Sequence, residues 1–579
     1  MFSHNTQALL GAHGVLQPHT HRKRLTARIQ HLKSEIHALE GCYNSLSLPN
    51  SLPPEILSNI FLCLLLDVRT NIGGLTAEES MEWVRVTYVC RHWREVALGC
   101  QTLWAHLSFA SPEFTEIMLA RAKNAPLHVE SFDDWGRPRT FEILGRVLSQ
   151  TERLRVVRLR FFDRYVDAGT FTSILSNLIS PAPLLETLSL SCHHETPPTQ
   201  LPVAFTAGPN AAPKLTYLYL LNVAVPSWDS LPLARGLTTL YLDTEIDDSL
   251  PNPGRPTWRQ LLGSLSSMPS LQELILHRFL PQDRPPSSQA PSTPLHLANI
   301  ESLILTDSTP SIEALLKSVL IPNTAYVRLV MIDLPAIDPI RKLVSAFARS
   351  CNFQARTALR EFQVGEDDGP DFHWTSHSTS PGTHPPQFNA SLSSALDRGG
   401  RTAEILPVLK EQLDLSQLTS LTVAHHSSLT VADWKATFAG LPHLSTISLE
   451  SCIVPYAFLK TLASEPSTLE RDSMERDSTI PPQPNFPSLT RLALEEVHFD
   501  SDTATALISS LNTRLMKTSQ MPDVEISVYS CHSGFTRSIA RRITEALPTN
   551  KVTYCVYGES SWAEDDGEGQ VTGESEEGT

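Results

Sequence analysis

Apolar side chains in the first hundred residues recur at helical spacing. Leu25, Ile29, Leu32, Ile36 and Leu39 are separated by 4, 3, 4 and 3 residues, an a/d stripe of about two heptads. That is short for a stable coiled coil. Residues 22–41 are therefore expected to form a heptad helix lying on the domain that follows, with Gly41 as its stop. Residues 1–21 are expected to be disordered. Leu52 opens a second helical pattern. Pro53 and Pro54 suit a first turn, where their missing N–H groups cost little. Ile56, Leu57, Ile60, Phe61 and Leu64 follow as one apolar face. Thr76 with Glu79 makes a capping box for a further helix on which Trp83, Val86, Cys90, Trp93 and Ala97 repeat at 3, 4, 3, 4. Val89 and Val96 widen that stripe and Gly99 ends it. LWAHLSF, Leu103 to Phe109, reads as a short turn or strand. Residues 48–109 thus predict a small helical module with more apolar surface than roughly 60 residues can hide internally. Part of that surface has to face a partner or the rest of the chain.

Past a connecting segment, 110–150, the pattern changes. PLLETLSL (183–190), PKLTYLYL (213–220), PSLQELIL (269–276), PHLSTISL (442–449) and PSLTRLAL (487–494) share L-x-x-L-x-L. ERLRVVRL, RGLTTLYL, ANIESLIL and SQLTSLTV are variants without the proline. The last two apolar positions alternate as in a strand, with one side chain between them on the opposite face. Helix-like intervals such as FTSILSNLIS and WRQLLGSLSSM separate the phrases. This pattern predicts an irregular leucine-rich-repeat solenoid, a horseshoe, over 151–557. Stretches rich in Pro, Ser, Asp and Thr near 281–294, 366–400 and 464–487 cannot bury enough apolar surface to order themselves and are expected to be disordered insertions. The fold class is α/β.

Composition narrows the partners. The net charge of −16 excludes general affinity for a phosphate backbone, which needs concentrated Lys and Arg. Residues 552–579 hold no Lys or Arg and many Glu and Asp, so 558–579 is expected to be an acidic disordered tail. The nine cysteines are scattered, odd in number and without C-x-x-C spacing, which predicts reduced thiols in cytoplasm or nucleus. No apolar run approaches the roughly 18 residues of a membrane span. The first residues do not have the order of a signal peptide.

LPPEILSNIF, then WVRVTYVCRHWREVAL, then LW resembles an F-box of the type carried by large fungal protein families. Its pattern falls on Leu52, Pro53, Glu55, Ile56, Leu57, Ile60, Phe61, Val89, Cys90, Arg91, Trp93, Arg94, Val96, Ala97, Leu103 and Trp104. The preceding heptad helix and the repeats that follow are similar to that family too. Two departures are a longer segment, 67–80, between the helices and Gly99-Cys100 before Leu-Trp. The resemblance implies the substrate-recognition adaptor of a Skp–cullin–F-box (SCF) ubiquitin ligase. Leu52, Pro53, Ile56, Leu57, Ile60, Phe61, Val89, Cys90, Trp93, Val96, Leu103 and Trp104 would dock a Skp-family adaptor and, through it, a cullin, while the repeats hold an unknown protein substrate. A Skp-binding scaffold without a role in ubiquitination is the alternative.

No phosphate-binding, dinucleotide or nucleophile-elbow motif is present, so the expectation is a non-catalytic protein without cofactor or metal. His373, His377 and His384 lie in a proline-rich stretch without ordered companions to complete a metal site. Between the paired apolar positions of successive repeats stand Arg158, Ser189, Tyr219, Tyr241, Ile275 and Ile304, with Tyr217 on the same face as Tyr219. Tyr and Arg are enriched among binding hot spots, so Arg158, Tyr217, Tyr219 and Tyr241 are the candidates for contacting substrate; tyrosine also simply suits strands.

Overall fold

The computed structural model describes residues 2–12, 17–70, 79–109, 111–131, 138–162, 168–193, 199–244, 254–283, 293–333, 336–351, 359–365, 371–377, 387–394, 401–424, 429–452, 455–464, 484–517, 523–529, 535–547, 550–554 and 563–564. The chain divides into two compact units, 1–215 and 216–579. Among the described residues no helix is long and apolar enough to cross a membrane.

The first unit opens with two helices, α1 (His4–Gly11) and α2 (Pro18–Ser45). Within the stretch expected to be disordered, residues 4–11 and 18–21 are helical, and Arg28 of α2 donates to Thr6 Oγ1 at 3.1 Å and to Ser3 Oγ at 2.7 Å, fixing α1 beside it. The heptad helix does not stop at Gly41. Ala38, Leu39 and Glu40 before it are good helix formers, and one internal glycine costs only about 1 kcal/mol, so the helix runs on to Ser45. Nor does it lie on the following domain, because none of its residues is buried.

α3 (Pro54–Thr70) comes next. The second predicted helix is broken in two: a 3₁₀ segment Glu79–Tyr88, then α4 (Arg91–Gly99). Val84, Val86, Thr87 and Val89 are β-branched and hold an α-helix poorly. Cys90 is extended, and its sulfur accepts the Trp93 N–H at 3.5 Å as the cap of α4. Thr76, the expected cap, lies outside the described residues. α5 (Gln101–Trp104) and strand β1 (His106–Leu107) end the module.

The expected connector at 110–150 belongs to a sheet. α6 (Pro112–Ala122), β2 (Leu127–Ser131), α7 (Pro138–Leu148), β3 (Leu154–Phe162), α8 (Ala168–Leu175) and β4 (Thr187–His193) alternate. β1, β2, β3 and β4 pair in that order, all parallel. The helical module thus passes into the sheet through β1, with no linker between them.

In the second unit β5 (Tyr217–Leu221), β6 (Thr239–Asp243), β7 (Glu273–His277), β8 (Ser302–Asp307) and β9 (Tyr326–Met331) are parallel and in register. α9 (Trp258–Ser267), α10 (Thr309–Ser318) and α11 (Ile337–Ser350) lie between or after them in the chain. The phrase leucines Leu218, Leu220, Leu240, Leu242, Leu274, Leu276, Leu303 and Leu305 are buried. The chain leaves several strands through a left-handed residue: Asn222, Arg278, Ser451 and Glu496 have φ between 48° and 60°. The N–H of each donates to the last or next-to-last residue of the neighbouring strand, Asp243, Thr306, Glu495 and Tyr529 respectively. The same exit is reused along the sheet.

The stretch 366–400 is not simply an insertion. β10 (Leu359–Gly365), β11 (Asp371–His377) and β12 (Gln387–Ser394) form an antiparallel meander. β12 pairs parallel with β9, and β10 pairs parallel with a later strand, β13 (Ser420–Ala424), reached through α12 (Thr402–Gln412). Phe372, Trp374 and Thr375 are strand formers, and Phe372, buried, stacks on Phe362 at 6.3 Å. Proline and serine at the ends of the segment do not outweigh that ladder. The side chains of His373 and His377, and all of His384, lie outside the described residues, as do most of the expected insertions at 281–294 and 464–487. α13 (Val431–Thr437), β14 (Thr446–Glu450), α14 (Tyr456–Ala463), β15 (Arg491–Glu495), α15 (Ser501–Lys517), β16 (Glu525–Tyr529), α16 (Arg537–Ala546) and β17 (Val552–Tyr554) complete the parallel series. Inside the expected acidic tail, Ala563–Glu564 pairs antiparallel with β17; 565–579 lie outside the described residues.

Candidate functional sites

α3 turns two different faces to its surroundings. Leu57, Phe61 and Leu65 are fully buried, while Ile56, Ile60 and Leu64 are 46%, 38% and 44% exposed. The broad apolar face expected from the sequence is two stripes about 100° apart, the angular step between successive helical residues. The inner stripe packs on an aromatic core. Phe61 meets Trp93 at 5.1 Å, and Trp83 meets Trp104 edge-on at 5.1 Å. Trp104 Nε1 donates to the Ala97 carbonyl at 2.8 Å, and the Arg121 guanidinium lies 4.3 Å from its ring centroid.

This geometry divides the expected docking residues. Leu57, Phe61, Val96, Leu103 and Trp104 are buried in the protein's own core and cannot touch an adaptor, because their surfaces are already spent on one another. Cys90 and Trp93 are half-buried, with the Cys90 sulfur 3.7 Å from Asn50 Oδ1. Leu52, half-buried, and Pro53, Ile56, Ile60 and Val89, exposed, remain on the surface. The sequence reading missed Leu46, Leu48, Tyr88 and Leu98, further large apolar side chains left in water in or just before this module. The break at Val89-Cys90 exposes Tyr88 and Val89, and the continuous helix expected from the spacing hid that signal. The result is an apolar outer surface on a rigid aromatic base, an arrangement suited to packing against helices of another protein.

A second candidate lies on the face of the second unit's sheet opposite the buried leucines. Tyr219 of β5 stands opposite Tyr241 of β6, and their rings stack at 4.1 Å and 19°. The Tyr241 hydroxyl donates to Asp243 Oδ2 at 3.1 Å, and His277 Nδ1 lies 2.9 Å from the same oxygen. Burial pushes the Tyr241 phenol well above its ordinary value, and the neighbouring charge of Asp243 adds to the shift, so the phenol remains a donor. Glu273 accepts from Thr239 Oγ1 at 3.1 Å on the same face. Tyr217 is half-buried one step along β5. The structure thus brings Tyr217, Tyr219 and Tyr241 together. Arg158 is in the first unit, on β3, paired with Glu130 of β2 at 3.1 Å. Asp243 and His277 were missed although their place two residues beyond Tyr241 and Ile275 puts them on the same strand face. Aromatic faces beside carboxylates attract cations.

A family model of F-box-like domains matches residues 49–110. A search of the curated proteins returns no match.

Proposed function

We propose, from the F-box-like domain at residues 49–110, that the protein docks a Skp-family adaptor through that domain and a cullin through the adaptor, and serves as a non-catalytic substrate receptor of an SCF-type ubiquitin ligase in cytoplasm or nucleus. On this reading the domain is the fungal type of F-box and the parallel strands of each unit are leucine-rich-repeat strands. The buried L-x-x-L-x-L positions and the repeated left-handed strand exits support the repeat assignment. The observation that carries the proposal is the outer stripe of α3, Ile56, Ile60 and Leu64, left in water on a packed domain. A stable adaptor complex buries on the order of 1,200–2,000 Å², and this stripe with Leu48, Pro53 and Val89 is the apolar centre such an interface needs. The receptor contributes proximity. It holds a substrate lysine near a loaded ubiquitin carrier at an effective concentration of about millimolar.

Affinity purification of the intact protein should return a Skp-family adaptor and a cullin, together with a protein that accumulates when the proteasome is blocked. Absence of the adaptor would refute the docking assignment. Presence of the adaptor and cullin with a bound protein whose level ignores proteasome inhibition would make the chain a scaffold. The tyrosine face is the proposed substrate surface, and its aromatic stack with Asp243 and Glu273 suits a segment that presents Lys or Arg. Tyr241→Ala should weaken capture of that bound protein by about 30-fold, the effect of losing a hot-spot tyrosine worth about 2 kcal/mol. Adaptor capture should stay unchanged. Quantitative pull-down of both partners from one sample checks this, and equal loss of both would show that the substitution acts through folding.

A further inference from the structure

α2 is a 28-residue helix with no buried residue, and its apolar stripe is longer than the five positions that spacing first suggests. Leu25, Ile29, Leu32, Ile36, Leu39, Tyr43 and Leu46 follow one another at 4, 3, 4, 3, 4 and 3 residues. Ile29, Ile36, Leu39, Tyr43 and Leu46 are between 51% and 80% exposed. A strict seven-residue repeat keeps one seam toward one partner helix. With Leu25, Leu32, Leu39 and Leu46 at d, Ile29, Ile36 and Tyr43 fall at a, one continuous apolar seam of about three heptads. We propose that α2 pairs with α2 of a second copy of this chain, as an antiparallel two-helix coil.

The flanking charges choose both the partner and its direction. Arg28 and Glu35 occupy g; Lys33 and Glu40 occupy e. In a parallel pair each g faces e of the next heptad on the other helix. That sets Arg28 against Lys33 and Glu35 against Glu40, like charges at both places. In an antiparallel pair e faces e and g faces g, so each edge carries both signs. The e edge decides, because Arg28 already donates to Ser3 and Thr6. There, with Ile36 of one helix against Leu32 of the other, Lys33 meets Glu40, and two-fold symmetry makes the contact twice. The helix therefore carries on its own surface the complement it needs, which is the property of a self-associating face.

The test uses the full-length protein in sedimentation velocity over a range of concentrations at low salt. The wild type should move from the 64.1 kDa monomer to a species of twice that mass as concentration rises. Ile36→Asp with Leu39→Asp, both at exposed positions, should remain monomeric at every concentration while still capturing the adaptor. Lys33→Glu should weaken the dimer at least tenfold, and adding Glu40→Lys should restore it. A wild type that stays monomeric, or a dimer that survives Ile36→Asp with Leu39→Asp, would overturn the assignment of this face. A dimer tightened by Lys33→Glu would overturn the antiparallel orientation, because that substitution removes a repulsion only from the parallel pair. The dimer does not depend on adaptor docking, so either can fail without the other.

Discussion

Replacing Ile56 and Ile60 together by aspartate should reduce capture of a Skp-family adaptor by about a thousandfold and leave the fold intact. The size of the effect follows from what the two side chains would do on docking. Each should lose most of its remaining exposure, and full burial of an isoleucine is worth about 1.5–3 kcal/mol. A carboxylate in its place adds the cost of desolvating a charge with no partner. Two such changes amount to at least about 4 kcal/mol, or about a thousandfold in affinity. Stability should hardly move, because substitutions on an exposed face usually stay within about 0.5 kcal/mol. Leu57→Asp is the contrasting change. Leu57 is on the same helix but fully buried, so a charge there should unfold the module and abolish binding for a different reason. Circular dichroism and a thermal melt on both proteins, beside the pull-down, separate the two cases. Retained adaptor binding by a folded Ile56→Asp, Ile60→Asp protein would refute the assigned interface.

The contrast between Ile56 and Leu57 shows what was legible in the sequence and what was not. Periodicity located α3 and marked it as apolar on more than one side, yet it does not tell an inward stripe from an outward one. That depends on where Trp93 and Trp104 arrive, and their positions depend on the break at Cys90. The break itself follows from a run of β-branched residues whose helical spacing is faultless, so pattern and propensity disagree and propensity prevails. In the second unit L-x-x-L-x-L placed the parallel strands well, because each phrase holds its own signal: two alternating leucines bound by a turn. The meander β10–β12 escaped for the opposite reason. Its outer strands β12 and β10 join the parallel series through β9 and β13, far along the chain, and its prolines and serines mask the strand formers between them. The tyrosines were legible as one face of a strand. Asp243 and His277 needed the register between strands, which no single phrase contains.

A buried ion pair stands beside that register, and breaking it should give the largest stability loss in the second unit. Asp307 ends β8, with its side chain 1% exposed, and accepts from Arg255 Nη1 at 3.0 Å, from the Leu280 N–H at 2.9 Å and from the Ser308 N–H at 2.8 Å. Arg255 Nη1 also donates to the Leu280 carbonyl at 2.7 Å. The pair ties the chain ahead of α9 to the segment after β7 and to the end of β8, next to the step where Thr306 stands opposite His277. Arg255→Met keeps the bulk and removes the charge, leaving an uncompensated carboxylate inside. Breaking a buried pair from one side costs about 3–5 kcal/mol. Burial pushes the Asp307 carboxyl above its ordinary value, while Arg255 and the two N–H groups pull it back. Without the arginine the upward push prevails further. A carboxyl raised in the folded state favours folding when protonated, and that contribution disappears as pH rises through the folded value. The deficit of Arg255→Met relative to wild type should therefore be largest at neutral pH and shrink as the solution is acidified toward the raised value. Denaturant unfolding at pH 7.5 and pH 5.5, with capture of the bound substrate measured alongside, checks both parts. A deficit that grows on acidification would show that the buried carboxylate is not the source of the loss. Substrate capture that survives full loss of the pair would show that the tyrosine face keeps its register without it.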